Sequence, residues 1–198
     1  MNHSSSILGV VLCGGKSTRM GQDKAALPCP APPESNAAEY HAVGNSLFDV
    51  ATKRLEKQSL SVAISGHCSV EHSFSLIEDQ VADQGPMQGV LSSLEFAKAN
   101  DFQACLCTPI DVPFLTDRDL SLLIATWNQK QEPAVAFSDR IEPLIAIYPT
   151  SLIEGLRVSL ANDQRSLMKW IKDIPFQSVA LTKTSCRNIN RPEDLKLG

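Results

Sequence analysis

The run of residues 12–24, L-C-G-G-K-S-T-R-M-G-Q-D-K, most limits what this chain can fold into and bind. An apolar run, Ile7–Leu12, precedes it and predicts a buried strand. Two adjacent glycines then break the strand pattern, as in a tight turn where the backbone approaches a ligand closely. Lys16, Arg19 and Lys24 add positive charge to this turn. Cations beside free backbone N–H groups are typical of phosphate binding, so the run indicates a nucleoside triphosphate site.

Length and charge restrict the class of protein. A chain of 198 residues is long enough for one domain with a sizeable core. Its net charge of -4 argues against a broad nucleic-acid-binding face, so the local cations point to a small anionic ligand. The first residues lack a secretory signal pattern, and no stretch approaches the length of a membrane span. We therefore expect no contact with nucleic acid or membrane.

The six cysteines include no C-x-x-C pair. Reduced, buried thiols are the interpretation this favours, and they indicate a cytoplasmic protein. Cys105 and Cys107 would share one face of an extended segment, which leaves metal binding there as an alternative.

Strand-like and helix-like runs alternate along the chain, which predicts an α/β fold with a mainly parallel sheet. A proline-rich segment at residues 28–44 predicts an irregular, mobile loop. Thr116, with Asp119 three residues later, predicts a capping box for the helix that follows. The predicted strands lie at residues 7–12, 60–65, 74–77, 104–107, 134–137, 144–148 and 176–181. Helices are predicted at residues 47–58, from residue 90, after residue 116, on both sides of residues 162–163, and from residue 192.

Ligands of open α/β sheets bind beyond the carboxyl ends of the strands. Besides residues 12–24, the loops expected there are residues 79–89, which contain Asp83, and residues 108–113, which contain Asp111. Protein-bound Mg²⁺ is usually held by one or two carboxylates together with substrate phosphates, so the loops predict a magnesium–nucleotide site. The P-loop pattern fails because no glycine lies five residues before Gly15, and the dinucleotide pattern G-x-G-x-x-G is also absent.

Six segments, in order, resemble the molybdenum cofactor guanylyltransferase family of nucleotidyltransferases. The run at residues 12–24 is similar to the signature L-x-G-G-x-S-x-R-M-G-x-D-K. The remaining segments are D-Q-G-P-M-Q-G-V, T-P-I-D-V-P-F-L, E-P-L-I-A-I-Y-P, R-S-L-M-K-W-I and N-I-N-R-P-E-D-L. The sequence departs from the family where Cys13 replaces the usual alanine and Arg191 the usual threonine. Residues 65–68 also lack the asparagine that the family uses to hold the nucleotide.

The resemblance implies a Rossmann-like three-layer sandwich of the nucleotide-diphospho-sugar transferase type, formed by residues 1–198 as a single domain. It implies transfer of GMP from GTP to the terminal phosphate of molybdopterin with Mg²⁺ as cofactor. It also implies transient contact with molybdenum-insertion proteins and molybdoenzyme chaperones.

The resemblance assigns a role to each site residue. Lys24 and Arg19 would be catalytic, with Arg19 holding the β- and γ-phosphates. Asp111 would bind the metal, and Asn188 and Asn190 the metal or the pterin substrate. Nucleotide contacts would come from Leu12, Cys13, Gly14, Gly15, Ser17, Lys24, Asp83 and Gly85. Asp23 is interpreted as orienting its loop or pairing with a cation.

Two alternatives to this function remain open. The first is an enzyme of the same fold that uses CTP or transfers a nucleotide to a sugar phosphate. Asp23 and the G-P-M-Q-G loop favour guanine over that alternative. The second is a non-catalytic nucleotide-binding protein, against which the presence of Lys24 and Asp111 speaks.

Overall fold

All named strands of the described chain belong to one sheet. The computed structural model describes residues 6–13, 23–30, 46–78, 85–190 and 193–194. The order of the strands is β3-β2-β1-β4-β6-β5-β7, and β6 alone runs antiparallel to its neighbours. The prediction of a mainly parallel sheet is therefore confirmed. The strands are β1 (Ile7–Leu12), β2 (Ser61–Ser65), β3 (Ser75–Ile77), β4 (Ala104–Pro109), β5 (Ala134–Phe137), β6 (Ile141–Pro149) and β7 (Gln177–Ala180).

Helices cover both faces of this sheet. Those in the described ranges are α1 (Leu47–Lys57), α2 (Pro86–Ala99), α3 (Asp117–Lys130), α4 (Ile153–Ala161) and α5 (Leu167–Trp170). Short 3-10 turns lie at Lys24–Ala26, Thr150–Leu152 and Ile171–Asp173. Within the same ranges, every helix is too short or too polar to cross a lipid bilayer.

Side chains along β1 point alternately to the two faces of the sheet, and each face has its own hydrophobic core. All six residues of β1 are buried, as expected of a strand in the middle of a parallel sheet. Ile7 and Val11 point to the core shared with α1 and α3, whereas Leu8, Val10 and Leu12 point to the core under α2, α4 and α5. The described residues therefore form three layers, helix–sheet–helix, as the resemblance implies.

Gly9 lets α1 pack closely on the sheet. A β-carbon placed on Gly9 would lie 3.2 Å from the β-carbon of Leu55. Alanine at this position would therefore push α1 outward.

The topology identifies one edge of the sheet as the place for a ligand. The chain runs outward from β1 to β2 and β3, and then returns to place β4 on the other side of β1. Neighbouring strands whose connections leave in opposite directions open a crevice beyond their carboxyl ends. Here that crevice lies beyond Leu12 and Pro109, which pair in the register of β1 and β4.

Several predicted boundaries need correction. Helix α2 begins at Pro86 rather than at residue 90, because Gly85 takes a positive φ of 77° and proline suits the first helical position. Strand β6 begins at Ile141 rather than at residue 144, because a tight turn pairs Ile141 directly with Phe137. Residues 31–44 of the segment 28–44, which was predicted to be a mobile loop, lie outside the described residues, as does the predicted helix start at Pro192. The capping box of Thr116 and Asp119 is confirmed.

Candidate active site

Three distant segments of the chain meet at the crevice between β1 and β4. The Nζ atom of Lys24 donates to Asp111 Oδ2 at 2.7 Å and to Asn190 Oδ1 at 2.9 Å. Only 17% of the Lys24 side chain and 16% of the Asp111 side chain are exposed, so water screens this ion pair weakly. We call these three residues the Lys24 cluster. A shielded ammonium beside a carboxylate is an arrangement that can neutralise phosphate oxygens and hold a divalent cation.

A short turn brings Lys24 into this cluster. Lys24–Ala26 forms a 3-10 turn, which Asp23 caps by accepting a hydrogen bond from the Ala25 N–H. Ala25 is fully buried, and it anchors the turn in the core below α1. The N–H of Leu47, the first residue of α1, donates to Leu27 O at 2.9 Å and fixes the far end of the turn.

Asp111 lies two residues beyond the end of β4. Its main-chain carbonyl accepts the N–H of Ile189 at 2.7 Å, which pulls the C-terminal segment against this loop. Helix α3 does not depend on Asp111 for its cap, because Thr116 accepts from the Asp119 N–H and Asp119 accepts from the Thr116 N–H. The Asp111 carboxylate thus remains available to Lys24.

The side chains of residues 188–190 alternate between the protein surface and the core. Ile189 is fully buried, whereas Asn188 and Asn190 are exposed on either side of it along the chain. The backbone N–H of Asn190 donates to Asp194 Oδ2 at 2.9 Å, which helps to orient it towards Lys24. The structure therefore brings Asn190 to the cluster and shows no comparable contact for Asn188 within the described ranges.

The end of β1 forms hydrogen bonds with the segments on both of its sides, at the ends of β4 and β2. The carbonyl of Leu12 accepts the N–H of Ile110 at 3.1 Å, and the N–H of Cys13 donates to Ser65 O at 2.8 Å. A carbonyl has two lone pairs, so Leu12 O can accept a second bond, but the Cys13 N–H is committed to the sheet. Burial raises the pKa of the Cys13 thiol, and the neighbouring Cys68 and Asp23 side chains raise it further. The Cys13 thiol is thus neutral, and it packs against the core beside the crevice.

Asp23 connects two loops at this edge of the sheet. Its Oδ2 accepts the N–H of Ser69 at 2.7 Å, in the loop that follows β2. Burial alone would raise the pKa of Asp23, but the bonds from Ala25 and Ser69 and the nearby His67 outweigh it and lower the pKa. The carboxylate is therefore ionised throughout the neutral pH range.

The start of α2 lies over the ends of β1 and β2. A β-carbon on Gly89 would lie 3.6 Å from Ser65 Oγ and 3.9 Å from the Leu12 side chain. Gly85, the residue before α2, has open space around its α-carbon, and its positive φ of 77° explains why glycine stands there. The buried Ser65 hydroxyl occupies the end of β2, the region where the resemblance leads one to expect an asparagine.

Five of the residues that the sequence predicts for the site lie outside the described residues. They are Gly14, Gly15, Ser17, Arg19 and Asp83. Cys105 and Cys107, the alternative metal site, are both buried, and Cys105 Sγ contacts Ser93 O at 3.2 Å. The described residues contain no group of three or more histidine, cysteine or acidic side chains arranged to hold a metal.

Sequence reasoning missed the supporting contacts of Ser69, Ile189 and Asp194. Ser69 and Ile189 act through main-chain N–H groups, for which a sequence carries no signal. Asp194 had a weak signal, since it lies four residues after Asn190 in the run R-P-E-D.

Comparison with known proteins identifies the family. A family model described as the MobA-like NTP transferase domain matches residues 9–180. The chain belongs to the MobA-like NTP transferase family. A nucleotidyltransferase activity, predicted from the sequence, is thereby confirmed at the level of the family.

Similar proteins support the assignment of this chain to the MobA-like family. A protein of Rhodopirellula baltica named probable molybdenum cofactor guanylyltransferase is 32% identical and covers 96% of this chain and 90% of its own. The molybdenum cofactor guanylyltransferase of Haemophilus influenzae is 31% identical over 96% of both chains. The recognition of this family from the sequence is therefore confirmed.

Two solved structures share the fold. Molybdopterin-guanine dinucleotide biosynthesis protein A of Archaeoglobus fulgidus superimposes with a TM-score of 0.71 at 22% identity, over 95% of this chain and 94% of its own. The 2-C-methyl-D-erythritol 4-phosphate cytidylyltransferase of Thermus thermophilus superimposes with a TM-score of 0.62 at 14% identity, over 95% of both chains. At these identities the likeness concerns the fold, and the predicted fold class is confirmed.

Proposed function

We propose that this chain transfers GMP from GTP to the terminal phosphate of molybdopterin, forming the guanine dinucleotide cofactor and releasing pyrophosphate. The observation that carries the proposal is the Lys24 cluster at the crevice between β1 and β4. The names of the relatives that match almost the whole chain support the choice of substrates.

The reaction requires little of the protein beyond positioning and charge. An oxygen of the molybdopterin phosphate attacks the α-phosphorus of GTP, one P–O bond forms, and the bond to the β-phosphate oxygen breaks as pyrophosphate leaves. The nucleophile is already ionised at neutral pH, so no general base is needed. Lys24 neutralises charge that develops on the α-phosphate and leaving group, and Asn190 holds the Lys24 ammonium in place.

Mg²⁺ is the cofactor we propose. Asp111 fits this role, because it supplies a hard oxygen ligand at the crevice and its bond to Lys24 uses only one of its two oxygens. Asp83 is proposed as a second acidic group for the metal or the nucleotide. Bound Mg²⁺ would supply charge stabilisation at the transferring phosphoryl group.

The remaining assignments follow the resemblance. Arg19 and Ser17 hold the phosphates, and Asn188 contacts the pterin substrate or metal. The backbones of Leu12, Gly14 and Gly15 read guanine, and Gly85 lies next to the nucleotide at the start of α2. Cys13 contacts the nucleotide through groups other than its N–H, which is bonded to Ser65 O.

The broader assignments are proposals too. We propose that residues 1–198 act as one nucleotidyltransferase domain in the cytoplasm. All six cysteines lie among the described residues and are free thiols, which suits a reducing compartment. Molybdenum-insertion proteins and molybdoenzyme chaperones are the proposed protein partners.

Pyrophosphate release tests the catalytic assignment. We expect release that depends on both GTP and molybdopterin, and a rate lowered by about 10²-fold or more in Lys24→Ala. Lys57→Ala is the matched control, because Lys57 also pairs with an aspartate, Asp117 at 3.3 Å, but on the exposed surface. Full activity of Lys24→Ala would contradict the assignment.

A further inference from the structure

Asp23 ties the Lys24 turn to a separate loop. One of its oxygens, Oδ1, accepts the Ala25 N–H at 3.0 Å, inside the turn that carries Lys24. The other oxygen accepts the Ser69 N–H at 2.7 Å, in the loop after β2. The two donors are more than forty residues apart along the chain, so one side chain joins two segments at the crevice.

We infer that Asp23 is a positioning residue, which holds the Lys24 ammonium beside Asp111 and Asn190 by bridging these two segments. The inference rests on the proposed function of Lys24. It assigns no direct chemistry to Asp23.

The geometry shows why Lys24 needs such support. A 3-10 turn of three residues has little stability of its own, and its first N–H groups lack partners within the turn. On the side of α1, the turn is held by the bond from Leu47 N–H to Leu27 O and by the bridge between Pro28 and Ser46. Asp23 provides the corresponding restraint on the side of β2.

The bonds of Asp23 also argue against a direct catalytic role. Each of its oxygens accepts a backbone N–H, so the main chain fixes the orientation of the carboxylate and takes up part of its acceptor capacity. The lowered pKa of Asp23, which burial opposes and these hydrogen bonds produce, agrees with an ionised acceptor. Its influence on the reaction therefore passes through Lys24.

A double-mutant cycle tests this inference. The variants are Asp23→Ala, Asp23→Asn, Lys24→Ala and the combination of Asp23→Ala with Lys24→Ala, each assayed for kcat and for the KM of GTP. Asp117→Ala is the control, because Asp117 also stands at a helix start and bridges two elements through Lys57. Thermal unfolding of every variant is measured in parallel.

We expect Asp23→Ala to lower kcat on the order of 10²-fold, since a displacement of about 1 Å is enough for such a loss. The KM of GTP should change by less than about threefold. In the Lys24→Ala background the same substitution should have almost no further effect, because the group it positions is gone. The kcat of Asp23→Asn should lie between those of Asp23→Ala and the wild type, since the asparagine amide oxygen can accept one N–H while its NH₂ group opposes the other.

Three results would overturn the inference: an unchanged kcat in Asp23→Ala, equal losses in both Lys24 backgrounds, or wild-type activity in Asp23→Asn. Equal losses would mean that Asp23 acts independently of Lys24. Failure of the proposed function looks different, because Lys24→Ala itself would then retain activity. Asp117→Ala should keep wild-type kcat even if it unfolds at a lower temperature.

Discussion

Replacing Asp111 by asparagine should affect stability and activity together. The substitution keeps the size and one acceptor oxygen of the side chain but removes its charge. At 2.7 Å and an effective dielectric constant of about 20, the attraction between Lys24 and Asp111 is about 6 kcal/mol before the desolvation of either ion is subtracted.

The net loss of stability in Asp111→Asn should be smaller than this attraction. Removing one partner of a fully buried pair costs about 3–5 kcal/mol. The Lys24 ammonium would retain Asn190 Oδ1 at 2.9 Å and some contact with solvent. We therefore expect Asp111→Asn to lower the free energy of unfolding by about 2 kcal/mol, which corresponds to a fall in Tm of about 4–8 °C for a chain of this size.

Calorimetry and pyrophosphate release check the two effects. Activity should fall by about 10²-fold or more, because the proposed metal ligand is lost as well. Asp117→Asn is the matched control, since its pair with Lys57 is about half exposed on both sides and should contribute less than about 1 kcal/mol. If Asp111→Asn unfolds like the wild type, or keeps most of its activity, the Lys24 cluster does not act as described.

Three further predictions follow from other contacts. Asn190→Ala should reduce kcat about tenfold by freeing the Lys24 ammonium, with little change in Tm because Asn190 is exposed; equal kcat would exclude a role for this contact. Burial raises the pKa of Cys107 to about 12, so stability should fall as the pH rises above about 9, where thiols of the unfolded chain ionise; Cys107→Ala should flatten this alkaline decline in denaturant titrations. Burial alone would raise the pKa of Asp23, but its hydrogen bonds and His67 lower it below the ordinary value of 3.8. The contribution of Asp23 to the free energy of unfolding is therefore present above pH 3.8 and is lost as the pH falls through the lowered pKa. The stability of Asp23→Ala should therefore depend less on pH than that of the wild type below about pH 4. The same loss of stability in acid for both proteins would contradict this prediction.

The central part of the fold could be predicted from the sequence because its signals are local. The six buried residues of β1 form an unbroken apolar run, and Thr116 with Asp119 is a recognisable capping box. The general rule for ligand sites in open α/β sheets then placed residues 12–24 and Asp111 at the same edge. This rule needs only the direction of the strands.

Other contacts depend on long-range geometry that periodicity does not encode. Asn190 reaches Lys24 across 166 residues of sequence, because Ile189 is buried and its N–H binds Asp111 O. The bond from Ser69 to Asp23 uses a main-chain donor, which any residue but proline would supply. The start of α2 was missed by four residues, because the apolar pattern starts only after a glycine–proline cap.

The choice of nucleotide and acceptor is the central claim, and product analysis tests it most directly. The purified protein is incubated with molybdopterin and Mg²⁺ together with either GTP or CTP, and the pterin product is identified by mass spectrometry. We predict the guanine dinucleotide with GTP, at least about tenfold less product with CTP, and loss of product in Lys24→Ala. Equal product from CTP, or no dinucleotide from GTP with folded wild-type protein, would contradict the proposed function.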